Sequence, residues 1–159
     1  MSGLQILPFV PDHDLEATVA LWERSRWDSQ PWLEVRMGHL HEDNLRHFRD
    51  VVSAENEVWL AWEAGVVVGL LAMDEGKIDQ LYVEPGRQGR GIGSALLQRA
   101  RERWPGGLTL HTHQRNERAR AFYESRGFWP VRFGVSPPPE LEPDVQYAWR
   151  PSENRARRG

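Results

Sequence analysis

Leu81-Tyr82-Val83-Glu84-Pro85-Gly86-Arg87-Gln88-Gly89-Arg90-Gly91-Ile92-Gly93-Ser94 is the stretch that organises the rest of the chain. It reads as the end of a strand, a polar glycine-rich loop and the start of a helix. A helix N-terminus presents unpaired N–H groups and a partial positive charge. Glycines at 89, 91 and 93 let the backbone approach an anion without Cβ interference. Arg87 and Arg90 add charge, so the segment suits a phosphate or diphosphate. The bland alternative is a glycine-rich turn that only starts a helix. Two familiar phosphate loops do not match. Gly91 is followed by Ile92-Gly93, not by Lys and Ser/Thr, which a Walker loop needs. A dinucleotide fingerprint starting at Gly89 and Gly91 would meet Ser94 at its third glycine position, and it belongs early in a βαβ unit.

Working backwards, Lys77–Val83, Val66–Met73 and Glu57–Glu63 read as three antiparallel strands. They are separated by the turns Asp74-Glu75-Gly76 and Ala64-Gly65. Upstream, Leu4–Val10 reads as an edge strand ended by Pro11. A helix follows with Leu15, Val19 and Trp22 at helical spacing, capped by Asp12 or Asp14. Ser25–Pro31 breaks that pattern, and Leu40, Leu45 and Phe48 mark a second helix between Gly38 and Arg49.

Working forwards, Ile92, Ala95, Leu96 and Ala100 form a helical stripe that Pro105-Gly106-Gly107 ends. Leu108–His113 reads as a strand. Asn116 is the expected N-cap of the next helix, with Ala119, Phe122 and Tyr123 on its inner face and Gly127 as its C′ residue. Phe128–Phe133 and Val145–Arg150 read as the last strands, joined by a loop stiffened by Pro137-Pro138-Pro139. No repeat or linker divides the chain. The expectation is one α/β domain over 1–151: a mixed, mostly antiparallel, bent sheet of about six to seven strands flanked by about four helices. Residues 152–159, with Arg155, Arg157 and Arg158, form a basic tail expected to fray.

Composition narrows the function classes. The chain has 159 residues, no cysteine, and 20 Lys plus Arg against 23 Asp plus Glu, a net charge of −3. The charge argues against bulk electrostatic binding of nucleic acid. The missing cysteine removes disulfides, thiolate metal sites and a Cys nucleophile. No apolar run approaches the ~20 residues needed to cross a bilayer, and the N-terminus lacks the pattern of a secretory signal. A cytoplasmic protein without membrane or nucleic-acid partners is expected; the aromatic content is compatible with a homodimer.

Gln88-Gly89-Arg90-Gly91-Ile92-Gly93 matches the Q/R-x-x-G-x-G/A signature of the GCN5-related N-acetyltransferase (GNAT) superfamily. Leu81–Pro85 resembles that family's fourth strand and the turn after it. Asn116 through Phe128, with Ala119, Tyr123 and Gly127-Phe128, resembles its second motif. The resemblance spans nearly the whole chain and implies acetyl-CoA as co-substrate; no metal is expected, because His111 and His113 have no third ligand nearby in the sequence. It implies that the pantetheine arm lies between splayed fourth and fifth strands. Leu81, Tyr82 and Val83 would bond that arm through their backbones, and Asn116 would touch it. Gln88, Gly89, Arg90, Gly91, Ile92, Gly93 and Ser94 would form the diphosphate site. Tyr123 would be the general acid near the sulfur. Direct attack by a primary amine in a ternary complex is implied. An alkylamine with a pKa near ~10.4 arrives protonated, so a base is needed, and a Tyr hydroxyl can protonate the departing thiolate.

His111 and His113 lie two apart on a strand and share a face. The position of His111 carries a catalytic Glu in the family's protein-N-terminus acetyltransferases; His there can serve as base near neutral pH. Asp79 is a second base candidate, set against a solvated strand-end carboxylate. Glu140, Glu142 and Asp144, in or beside the proline loop, could attract a cationic acceptor or simply be solvated. Trp27, Trp32, His39 and His41 fall where the family closes over its acceptor, with core packing as the default for both Trp. Arg115, Arg118 and Arg120 are candidates for a CoA phosphate or a solvated helix face. The acceptor expected is a small amine or amino-acid-like molecule; a protein N-terminus or lysine is the alternative. A non-catalytic acyl-CoA sensor and a nucleotide- or nucleic-acid-binding module are rivals of other classes. A Tyr at 123 favours catalysis over the sensor.

Overall fold

The computed structural model of the chain describes residues 3–151; the expected fraying of 152–159 lies outside them. Seven strands take part in one sheet: β1 (Leu4–Pro8), β2 (Glu57–Glu63), β3 (Val66–Asp74), β4 (Lys77–Val83), β5 (Leu108–His113), β6 (Trp129–Val135) and β7 (Pro143–Trp149). The helices are α1 (Pro11–Ser29), α2 (Pro31–Met37), α3 (His41–His47), the short α4 (Ser53–Glu55), α5 (Ile92–Arg103) and α6 (Glu117–Ser125), with a π-helical turn at Phe48–Val52. Hydrogen-bonded neighbours follow the order β1-β2-β3-β4-β5-β7-β6. The pairs β1–β2, β2–β3, β5–β7 and β6–β7 are antiparallel, and β4–β5 is parallel. The expected mixed, mostly antiparallel α/β fold is therefore the one found.

The chain divides into two compact units: residues up to 74 with 79–99, and 75–78 with those from 100 onward. In the first, Val19, Leu21 and Trp22 of α1 cluster with Phe48 and Val52 and with Val58, Leu60, Leu70 and Ala72 of β2 and β3. The β3 burial is nearly continuous, as its unbroken apolar run requires of a central strand. In the second, Leu108 and Leu110 of β5, Tyr123 of α6, Phe128, and Val145, Tyr147 and Trp149 of β7 are buried. There Lys77 and Ile78 pair in parallel with Thr109 and Leu110.

The strands β2, β4 and β5 have the expected bounds, and β3 extends one residue further. The N-terminal third differs. The polar run Ser25–Pro31 does not break α1, which continues to Ser29. Three of its polar residues are not solvated: Ser25, Arg26 and Gln30 are buried, and Arg26 pairs with Glu34 of α2 at 3.0 Å. Neither Asp12 nor Asp14 caps α1. Val10 holds the N-cap position and Pro11 the first turn, where its fixed φ and missing N–H suit it. The Asp14 carboxylate instead accepts the Val10 N–H at 2.8 Å. Strand β1 stops at Pro8, not Val10.

Candidate active site

In the first unit, β4 leads straight into the glycine loop. The Val83 carbonyl accepts from the Ser25 hydroxyl at 3.4 Å, and the Glu84 N–H donates to Val68 at 2.9 Å. A turn closed by Arg87 N–H on the Glu84 carbonyl at 3.0 Å follows. Gly89 and Gly91 then take left-handed φ values of 82° and 87°. The carbonyl of Gly91 accepts the Ala95 N–H at 3.0 Å, so α5 begins there. Gln88, Gly89, Arg90 and Gly91 are exposed, while Ile92 and Gly93 are buried. The first amides of α5 lack acceptors within the helix, and nothing in the chain lies within 4 Å of a Cβ built on Gly89 or Gly91. The cradle fits a phosphate-bearing group. Arg87 differs from expectation, because its guanidinium pairs with Glu63 and anchors the loop to β2. Its charge is thereby largely offset for an incoming anion.

Gly69 was legible only as a gap in an apolar strand. A Cβ there would lie 2.8 Å from Leu96 Cδ1, 3.0 Å from Ile92 Cγ2 and 3.1 Å from Ala61 Cβ. Its bare backbone lets the first turn of α5 settle on β3. The available signal was a glycine inside a strand, which marks close approach of another element.

Beside the end of β4 lies an open groove of about 680 Å³, lined by Ala20, Glu23, Arg24, Trp27 and Asp28 of α1 with Glu84 and Pro85. Trp27 is 52% exposed, so core packing is the wrong account of it: it lies on the outer side of the lengthened α1. Trp32 is half-buried and His39 exposed. Arg24 forks onto the Glu84 carboxylate at 2.7–3.0 Å. His41 Nδ1 lies 2.8 Å from Glu23 Oε1, with Glu16 3.4 Å from Nε2. The hydrogen bond and charge of Glu23, and then those of Glu16, raise the His41 pKa above 6.5. The bond therefore contributes fully below ~6.5 and is lost as pH rises through the raised folded value. An NMR titration is expected to show His41 titrating above its position in Glu23→Gln; identical midpoints would refute the pairing.

Asp79 is exposed on β4, and its Oδ2 accepts from Gln80 Nε2 at 3.2 Å and Asn56 Nδ2 at 3.4 Å. Leu81, Tyr82 and Val83 are half-buried.

In the second unit, His111 is exposed and His113 half-buried on β5, opposite Gln146 and Asp144 of β7. Asn116 is the N-cap of α6, its side-chain oxygen accepting the Ala119 N–H at 3.1 Å. Tyr123 is 7% exposed, its ring 5.2 Å from Phe122, 5.4 Å from Phe128 and 6.3 Å from Tyr147. Phe122 is half-buried, with the Arg126 guanidinium 3.9 Å from its ring centroid. Of the loop acids, Glu142 and Asp144 are buried, which corrects the solvated alternative for both; Glu140 is half-buried. Ser136 and Glu142 close the neck of the proline loop through Ser136 N–H on the Glu142 carbonyl at 2.8 Å and Glu142 N–H on Ser136 Oγ at 3.0 Å. Arg115 and Arg118 are exposed, whereas Arg120 donates to the Tyr147 hydroxyl at 3.1 Å and is not a solvated cation. Among the described residues no group of three or more His, Asp or Glu side chains could hold a metal ion, and no helix is long and apolar enough to cross a membrane.

The glycine loop is thus assembled in one unit, and the Asn116–Tyr123 helix in the other. Both segments fall within residues 54–130, which match the family model described as an acetyltransferase (GNAT) domain. The chain is 31% identical over 116 residues to the peptidyl-lysine N-acetyltransferase YiaC of Escherichia coli, covering 72% of this chain and 77% of that protein. Its fold is similar to the solution structure of apo YjaB from Escherichia coli, with a TM-score of 0.72 at 24% identity over 92% of this chain and 97% of that one. It is also similar to PaiA N-acetyltransferase from Thermoplasma acidophilum in complex with coenzyme A, with a TM-score of 0.64 at 18% identity over 94% and 99% of the two chains. The chain belongs to the GNAT family of acetyltransferases and is an acetyl-CoA-dependent acyltransferase.

Proposed function

We propose that this enzyme acetylates the side-chain amine of a peptidyl lysine by direct transfer, with both substrates bound at once. The observation that carries the acyl-donor half is the exposed glycine cradle at the start of α5. The amides of Gly89 through Ser94, with Gln88 and Arg90, hold the diphosphate of CoA, and the helix N-terminus favours its charge. The backbones of Leu81, Tyr82 and Val83, together with Asn116, hold the pantetheine arm. When bound, acetyl-CoA supplies an acyl thioester activated toward attack by nitrogen.

The acceptor choice rests on the groove along α1. It is open, carries Glu23, Asp28 and Glu84, with Arg24 on Glu84 and His41 on Glu23 as counter-charges, and presents the exposed face of Trp27. Such a lining suits a cationic amine on a larger body better than a small enclosed molecule. A relative named for peptidyl-lysine acetylation points the same way.

For the proton transfers, His111 takes a proton from the arriving ammonium. Asp79 is the weaker base candidate, since its Oδ2 already accepts two amide N–H groups. As the C–N bond forms and the C–S bond breaks, the attacking nitrogen gives up its second proton to solvent, and the Tyr123 hydroxyl donates a proton to the departing thiolate and regains one from solvent.

Thiol release with a lysine peptide tests both roles. Tyr123→Phe is expected to lower kcat about 100-fold with the KM for acetyl-CoA within about twofold. Full turnover of that variant from roughly pH 6 to 9 would remove the acid role. A small free amine acetylated with higher kcat/KM than a lysine peptide would overturn the acceptor assignment.

A further inference from the structure

Helix α6 spans nine residues, and Tyr123 is its one buried side chain. One apolar anchor limits separation of a helix from its sheet but does little to fix rotation about the helix axis. A polar constraint on that rotation comes from β7. Tyr147 is fully buried. Its hydroxyl donates to Glu124 Oε2 and accepts from Arg120 Nε at 3.1 Å. These two partners sit three residues before Tyr123 and one after it, on the same side of the helix. Tyr147 is itself held on both flanks, opposite Leu110 of β5 and Pro130 of β6.

We propose that Tyr147 is a positioning residue for acyl transfer: its hydroxyl ties Arg120 and Glu124 to an interior strand and so sets the rotation of α6 that aims Tyr123. The inference rests on Tyr123 being the proton donor. Arg120 is further located by the Phe133 ring, 5.5 Å from its guanidinium, and by the Gln114 carbonyl at 3.5 Å. Glu117 and Glu124 supply the opposing charge on α6. Burial and then the Glu124 bond push the Tyr147 hydroxyl above its usual range, outweighing the opposite pull of Arg120. It therefore remains a donor throughout the neutral range. Tyr147→Phe removes one oxygen from the centre of this arrangement and leaves the aromatic packing in place.

A double-mutant cycle in the intact enzyme separates positioning from general stability. Tyr147→Phe is expected to lower kcat roughly tenfold, with the KM for acetyl-CoA within about twofold, because small misplacement of a proton donor is costly. In the Tyr123→Phe background, the same substitution is expected to change kcat by less than about twofold. A merely structural role would reduce turnover equally in both backgrounds. Glu124→Ala, at an exposed position, is expected to reproduce the kcat loss, and Glu124→Gln to restore part of it; this pair decides the matter should Tyr147→Phe not fold. Unchanged kcat in Tyr147→Phe or, failing that variant, in Glu124→Ala, alongside an impaired Tyr123→Phe, would overturn the positioning role alone. So would a tenfold loss repeated in the Tyr123→Phe background. Full turnover of Tyr123→Phe would overturn the proton-donor assignment and the positioning role with it.

Discussion

Gly91→Glu is expected to weaken acetyl-CoA binding at least 100-fold, measured by titration calorimetry, while the chain stays folded. Two effects add. Gly91 sits at φ 87°, where a side chain costs roughly 1–2 kcal/mol. A carboxylate ~5 Å from a diphosphate charge is repelled by roughly 1 kcal/mol in water and roughly 3 at an effective dielectric of ~20. At the lower dielectric the repulsion alone exceeds the ~2.7 kcal/mol of a 100-fold change. Because a Cβ at Gly91 meets nothing in the chain within 4 Å, Gly91→Ala isolates the backbone term and should lose much less affinity. Equal affinity in Gly91→Glu and the parent would place the diphosphate elsewhere.

Glu34→Ala is expected to cost about 3–5 kcal/mol of stability, read from the urea midpoint. Glu34 and Arg26 face each other at 3.0 Å with side chains only 7% and 11% exposed. The Arg26 guanidinium also lies 4.8 Å from the centroid of the Trp22 ring, so it has no easy route to water once its partner is gone. An uncompensated buried cation is the source of the penalty, and the double change Arg26→Met with Glu34→Leu should recover most of it. Since whole domains are stable by only ~5–15 kcal/mol, the single change threatens the fold at the α1–α2 junction. A shift of less than about 1 kcal/mol would show that this pair does not anchor that junction.

Legibility along the chain followed the range of the interactions involved. Strands β2 to β5 were visible because period, apolar runs and two-residue turns such as Ala64-Gly65 and Glu75-Gly76 are local. The Asn116 cap was visible for the same reason, since it bonds an amide three residues on. The extent of α1 was not visible, because polar Ser25–Gln30 looks like a loop until Glu34 supplies a buried partner. Trp27 was not visible either: a Trp is expected in a core, and only the packing of the lengthened α1 leaves it 52% exposed.

What the chain determined by itself is the order of its elements, its family, and the glycine cradle with the helix start that powers it. Each depends on residues within a few positions of one another, and backbone preferences act over that distance. Tertiary structure alone decided which charges are free and which are engaged. Arg87 meets Glu63 across 24 positions, and Tyr147 meets Glu124 across 23. Pairing and burial depend on which distant element arrives beside a side chain, and no local pattern encodes that arrival.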